Sequence, residues 1–313
     1  MRIVCDEMEI FSSRYSKYFS QLQKMFIRSA EGQHDLYLSN PEKISSSDFF
    51  SQGVAPMQKE EWKELIQRIA YAPDKKNWSI DPHSVTETIH ARLSITDQET
   101  DDLCRWHILP GEAGKWAEMP LKILMENQRD WSVIQCAICV YERKRIKKAL
   151  DSGWIEPQGC GGIDEIRPTL KKIMGTFSKS RCAVFVDSDK EKSDASMNEK
   201  QIKIKNACDK EKTPCHVLYK REIENYIPEK IFQKIRPTAT ANQIKEIEKW
   251  KSWTDGEKDF TKLKKYFGRG SRSLFLQTAL KTMGDEKDMN PTDLEKRVGE
   301  ELNEMLLCLE NFL

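Results

Sequence analysis

The sequence predicts an α/β protein: a central parallel sheet with helices on both faces, flanked by mainly helical N- and C-terminal regions. Two observations carry this. Short apolar runs at "LKILMEN", "RCAVFVDSD" and "PCHVLYKREIENY" have the length and bounding residues of buried strands. Segments with helical periodicity separate them, the alternation expected of a parallel sheet covered on each side. In such sheets ligands sit beyond the carboxyl ends of the strands.

The 313-residue length suits two compact parts with real hydrophobic cores. Residues 1–119 read as a helical accessory region. "FSSRYSKYFSQLQKMFIRSA" spaces Phe11, Tyr15, Tyr18, Phe19, Leu22 and Phe26 as one helical face, and "QKEEWKELIQRIAYA" does the same with Trp62, Leu65, Ile66 and Ile69. A third helix is expected where Thr96 and Glu99 have capping-box spacing before Leu103 and Trp106. These aromatics recur at helical intervals without alternating basic residues, which makes them core rather than platforms for base stacking.

Residues 120–232 carry the sheet. After "LKILMEN", the stretch "DWSVIQCAICVYERKRIKKAL" reads as a helix that is apolar early and basic late. A weak strand in "WIEPQGCGG" turns over Gly161 and Gly162, "IDEIRPTLKKIM" is helical, and a further helix covers "EKQIKIKNACDK". Residues 233–313 are helical and heavily charged. The last stretch opens on the cap pair Asn290 and Pro291 and places Leu294, Val298, Leu302, Met305, Leu306 and Leu309 along one face. Packing onto the body of the protein is the expectation; the other role is a partner helix or homo-oligomer contact.

The formal net charge is only +1 although 32% of residues are charged, so any nucleic-acid surface must be local. Nine cysteines without paired spacing point to a reduced, cytoplasmic protein. No apolar run reaches the ~18 residues of a membrane span. Cys136 and Cys139 fall within a helix, which favours packing over zinc or redox chemistry.

Three strand ends carry carboxylates: Glu126 with Asp130, Asp187 with Asp189, and Glu222 with Glu224. In a parallel sheet these ends share one edge, and the like charges repel unless a cation sits among them. Magnesium fits, because it prefers oxygen ligands and is held by a few carboxylates. If the strand continues through the D-x-D pair, Asp187 and Asp189 point the same way and Ser188 the other.

Together "ILMENQRD", "GGIDEI", "VFVDSD" and "KREIENYIP" resemble the successive motifs of a Toprim domain, a Rossmann-like fold. The form is close to that of the overcoming-lysogenization-defect (OLD) nucleases and related stand-alone Toprim effectors of antiphage systems, over Leu121 to Phe232. The resemblance implies a metal-dependent endonuclease acting on DNA or RNA with two magnesium or manganese ions. Glu126 would be a metal ligand or general acid/base, with Asp130, Asp187, Asp189, and Glu222 or Glu224 as further ligands. Asn127 stands where Toprim proteins usually have glycine. No G-x-x-x-x-G-K-[ST] loop is present, whereas well-known members carry an ATPase, so the resemblance implies a separate ATPase partner.

Downstream, "GEKDFTKLKKYFGRGSR" offers a basic cluster. Lys258 and Lys262 are the candidates for the catalytic lysine that such nucleases place after this motif. Lys264, Lys265, Arg269 and Arg272 are candidates for gripping phosphates. Two other classes compete: a phosphorylated receiver domain, disfavoured because the first strand ends in glutamate, and a metal-binding scaffold or sensor subunit without turnover.

Overall fold

A computed structural model describes residues 2–5, 7–54, 58–70, 90–94, 106–174, 181–267, 273–286 and 289–312. The chain divides into two compact units, Met1–Leu121 with Leu309–Leu313, and Lys122–Cys308. The expected division near residue 120 is therefore present. The one expected near 232 is not, because the sheet region and the following helices form a single unit.

The first unit corrects the expectation of a helical accessory region. It contains β1 (Arg2–Cys5), α1 (Phe19–Ala30), β2 (Asp35–Leu38), α2 (Pro41–Ser45), α3 (Lys59–Ala70), β3 (His90–Leu93), β4 (Trp106–Ile108) and α4 (Ala113–Glu118). The strands form a parallel sheet in the order β2-β1-β3-β4, with Ile3 opposite both Leu36 and Ala91. Trp106, expected in a helix, lies in a strand; the capping residues Thr96 and Glu99 lie outside the described residues. The helix expected from Phe11 starts only at Phe19, after two 3-10 turns. The aromatic residues do form core: Phe11 and Phe19 meet Phe49 at 5.6 and 5.4 Å between ring centroids, and Phe49 meets Trp62 at 5.9 Å.

The second unit is α/β as expected. Its sheet strands are β5 (Leu121–Met125), β6 (Ile155–Gly159), β7 (Cys182–Val186) and β8 (Cys215–Val217), and the order is β6-β5-β7-β8. β7 runs parallel to β5 and to β8, with Leu124 opposite Val184 and Val184 opposite Cys215. Between the strands come α5 (Trp131–Val140), α6 (Lys144–Asp151), α7 (Ile163–Met174) and α8 (Glu199–Lys210). The single helix expected after β5 is two, because Glu142 takes a left-handed conformation (φ 50°) that ends the first.

From β5 the chain moves to β6 on one side, and from β7 it moves to β8 on the other. Reversal of direction makes the β5/β7 boundary a topological switch point, where the loops part and leave a crevice beyond the strand ends. α7 and α8 pack together on one face, where Ile166, Leu170, Ile204 and Cys208 cover Leu124, Val184 and Val186. Burying such side chains contributes ~2 kcal/mol each and fixes where the strands end.

The remaining helices are α9 (Glu229–Ile235), α10 (Ala241–Lys251), α11 (Asp255–Phe260), α12 (Leu263–Phe267), α13 (Ser273–Gly284), α14 (Pro291–Val298) and α15 (Glu301–Phe312). The final amphipathic stretch is thus broken at Gly299 (φ 63°), yet its expected face, Leu294 to Leu309, is buried throughout. Cys136 is buried and Cys139 exposed, so this pair is split between core and surface, with both thiols free. Among the described residues no helix is long and apolar enough to cross a membrane.

Candidate active site

The end of β5 is clamped to the end of β6. Cys160 N–H donates to the Met125 carbonyl, and Gly161 and Gly162 N–H both donate to the Glu126 carbonyl at 2.9 Å. Gln128 spans the same gap in both directions: its Oε1 accepts from Gly159 N–H and its amide donates to the Pro157 carbonyl. Gly159 permits the approach, since a Cβ there would lie 2.8 Å from Gln128 Cα and 2.9 Å from the Asn127 carbonyl carbon. The two expected turn glycines do have positive φ, 92° and 128°. The loop bearing Glu126 is therefore rigid at its base.

Glu126 leans across the switch point. Its Oε1 accepts from the Asp187 N–H at 3.2 Å, joining the ends of β5 and β7. Asp187, buried, accepts from Ile223 N–H at 2.9 Å and so ties in the loop after β8. Asp130 closes a capping box with Asn127, accepting its N–H at 2.9 Å, and is buried. The strand does not run on through the D-x-D pair: β7 ends at Val186 and Asp189 is left-handed (φ 51°), with its N–H donated to the Arg221 carbonyl. Alternation along a strand is therefore not what places Asp189. The turn does, and Ser188 faces away to donate to the Lys220 carbonyl.

Glu222 caps a 3-10 turn, Ile223–Tyr226, that contains Glu224 and that Asn225 holds in place. Its Oδ1 accepts from Glu222 N–H, while its amide donates to the carbonyls of Lys258 and Thr261. The six acids are thus brought to one region, and they interact unequally. Asp187 feels Glu126, Glu224 and Asp130, Asp130 feels Glu224, Glu222 feels Glu224 and Asp189, and Glu126 feels Asp189 and Asp130.

Burial first, and then the Asp189 charge, push the Glu126 carboxyl up to about 7. Burial likewise pushes Asp130 up to about 6, against the Asn127 N–H bond that favours its ionised form. Asp187 is likewise raised well above the ordinary carboxylate value, by burial and then by the Glu126 and Glu224 charges. The common relief is Lys264, whose ammonium lies 3.1 Å from Glu224 Oε1 and 3.8 Å from Glu222 Oε1. Burial works against that ammonium, but Glu224, Glu222 and Asp187 outweigh it and raise its pKa above the ordinary lysine value.

The basic residues expected downstream separate accordingly. Lys264, expected on the phosphates, belongs to the acidic centre. Lys262 reaches its rim, 3.8 Å from Glu222. Lys258 does not reach it: its ammonium sits over the Trp250 ring at 5.1 Å, and only its carbonyl supports the Asn225 loop. Lys265 is exposed, and Arg269 and Arg272 lie outside the described residues.

Sequence reasoning missed several parts. Arg129, exposed, lines a cavity of about 210 Å³ with Asn127, Asp130, Glu224 and Lys264. Gln128 and Gly159 form the clamp, for which the only signal was their place within the quoted motifs. Glu301, on the last helix, supports the loop after β8: it accepts from Tyr219 N–H at 2.8 Å and from Tyr226 O–H, and His216 Nε2 lies 2.8 Å from it. It is buried, so Glu301→Ala strands three polar partners. The expected cost is about 3 kcal/mol, read by chemical denaturation, with faster amide exchange over residues 218–226.

Whether these residues suit a divalent cation can be judged from their chemistry. Glu222 Oε2 and Glu224 Oε2 are buried with no hydrogen-bond partner, the state in which a hard cation is the natural complement. Among the described residues, however, no three His, Cys, Asp or Glu side chains are drawn together closely enough to hold an ion as they stand. The donor set fits magnesium in kind, and the Lys264 ammonium neutralises it. Searches of the chain against protein-family models, curated proteins and solved structures found no match.

Proposed function

We propose that the chain is a metal-dependent endonuclease of Toprim type that hydrolyses phosphodiester bonds in DNA or RNA. Its setting, on the resemblance of its motifs, is an effector of an antiphage defence system of the OLD kind, working with a separate ATPase. The observation that carries the reading is the meeting, at the β5/β7 switch point, of carboxylates from the ends of β5 and β7 and from the loop after β8, a strand that stops at Val217, short of Glu222.

Glu126, Asp187, Asp130 and Glu224 would hold one magnesium or manganese ion, and Glu126, Asp189 and Glu222 a second. Bound there, the ions would activate water and offset the charge on the leaving oxygen. Glu126, whose carboxyl is poised near neutrality, would take the proton of the attacking water. Lys262, beside Glu222, and Arg129, which lines the cavity with Asp130 and Glu224, would hold the phosphate charge, and Lys264 would leave the carboxylates for the substrate.

A second reading, a metal-binding scaffold or sensor subunit without turnover, draws on the ammonium already compensating the acids. Incubation of the purified protein with DNA and with transfer RNA separates the two. Cleavage that needs magnesium or manganese supports the nuclease. No cleavage, with or without the ATPase partner, favours the scaffold.

A further inference from the structure

Beyond Lys262, Lys264 and Arg129 the centre offers a polyanion few cations, and a nuclease of long chains needs a track leading to it. A cation-lined groove lies between α7 and α8. These helices lie side by side on one face of the sheet and enclose a groove of about 480 Å³, floored by Ile204 and rimmed by Arg167, Lys171, Lys200 and Lys203. Lys200 meets Asp164 at 2.7 Å and Lys203 meets Glu199, both exposed pairs of the weak, exchangeable kind. Among the described residues no acid is paired with Arg167 or Lys171. Four residues apart on one helix, those two stand about 6 Å from each other along its axis.

The groove opens at the acidic edge. α7 starts directly after Gly161 and Gly162, whose N–H groups bind the Glu126 carbonyl. α8 is capped by Asn198, whose amide reaches Asp189 Oδ2 at 3.5 Å. One end of the cationic rim therefore adjoins Glu126 and Asp189.

We propose that the α7/α8 groove is the binding track for a nucleic-acid backbone, with Arg167 and Lys171 as its permanent phosphate contacts. Lys200 and Lys203 join by exchanging Asp164 and Glu199 for phosphates. The inference rests on the nuclease reading and names where its substrate lies. Contacts of this kind read charge and not bases, so affinity is independent of sequence and strongly salt-dependent.

The test measures fluorescence anisotropy of labelled single-stranded and duplex oligonucleotides over a range of salt. It uses full-length Glu126→Ala protein with magnesium, so that the probe survives. Adding Arg167→Gln and Lys171→Gln is expected to lower the slope of log affinity against log salt by about 1.4 for single strands or about 1.8 for duplex. Affinity for unrelated sequences falls equally, by about tenfold or more. Lys172→Gln, on an exposed neighbour outside the groove, leaves slope and affinity unchanged. An unaltered slope and affinity in the double variant overturns the track, even if the wild-type protein cleaves. A reduced slope with a wild-type protein that never cleaves upholds the track and removes the nuclease reading. Absence of binding by the parent overturns the track.

Discussion

Glu126→Gln is expected to lower metal-dependent cleavage by about a thousandfold or more while leaving the fold intact. The substitution is chosen for what it keeps. Glu126 Oε1 accepts the Asp187 N–H at 3.2 Å, and the glutamine carbonyl can accept the same bond, so the β5–β7 junction survives. What is lost is the negative charge shared by the two proposed ion positions and the base for the attacking water, losses of the size seen when a central catalytic group is removed. Without metal and above pH 7, the variant should melt at a temperature equal to or higher than the wild type, because a buried like charge has been removed from beside Asp187 and Asp189. Initial rates on a labelled nucleic acid, taken beside thermal melts, check both parts. A rate within a fewfold of the wild type, with an unchanged melt, would place Glu126 outside the chemistry.

The second large effect concerns stability and its dependence on pH. Glu126 and Asp130 are pushed up from 4.5 and 3.8 to about 7 and about 6. A carboxyl raised in the folded state binds more protons there than in the unfolded chain. Its stabilising contribution is therefore full below pH 4 and disappears as pH rises through about 6 to 7. The metal-free protein should lose on the order of a few kcal/mol between pH 5 and pH 8, and magnesium should restore part of it at pH 8 by binding only the folded form.

Lys264→Ala should deepen the alkaline loss. Its side chain keeps 44% exposure, so water screens its pairs and the expected extra cost is about 1 to 2 kcal/mol. Magnesium should rescue this variant more than the wild type, since the ion takes over the compensation that the ammonium supplied. Denaturant titrations at pH 5 and pH 8, with chelator and with magnesium, make the measurement. Stability that rises from pH 5 to pH 8 in chelator would contradict the electrostatics described for the site.

The sheet of the second unit was legible because β5 and β7 are apolar enough to stand out and end where acids begin, at Glu126 and Asp187. Glu126 and Asp187 fell at one edge as a consequence of parallel topology, whereas the Glu222–Glu224 loop, beyond the end of β8, is brought there by the Ile223–Asp187 bond and by Asn225. The first unit's sheet was not legible: its strands are three or four residues long, too short for an alternating pattern to emerge, and Trp106 sat at helical spacing from Leu103. Asp189 reaches the centre through a left-handed turn, which no side-chain periodicity encodes. The assignment of Lys264 to the phosphates treated a basic run as a surface. The fold instead uses one lysine of that run to balance carboxylates some forty residues away, and sets another, Lys258, on Trp250. Glu301 had no local signal at all, since its partners His216, Tyr219 and Tyr226 meet it only after the last helix packs.

The most direct measurement is a titration of metal-free protein with manganese, followed by electron paramagnetic resonance of the unbound ion. Wild-type protein should bind the ion saturably, Asp187→Asn and Glu126→Gln should each weaken that binding at least tenfold, and Arg167→Gln should leave it unchanged. Absence of saturable uptake by the wild type, or equal uptake by all four proteins, would contradict a cation centre at the β5/β7 switch point.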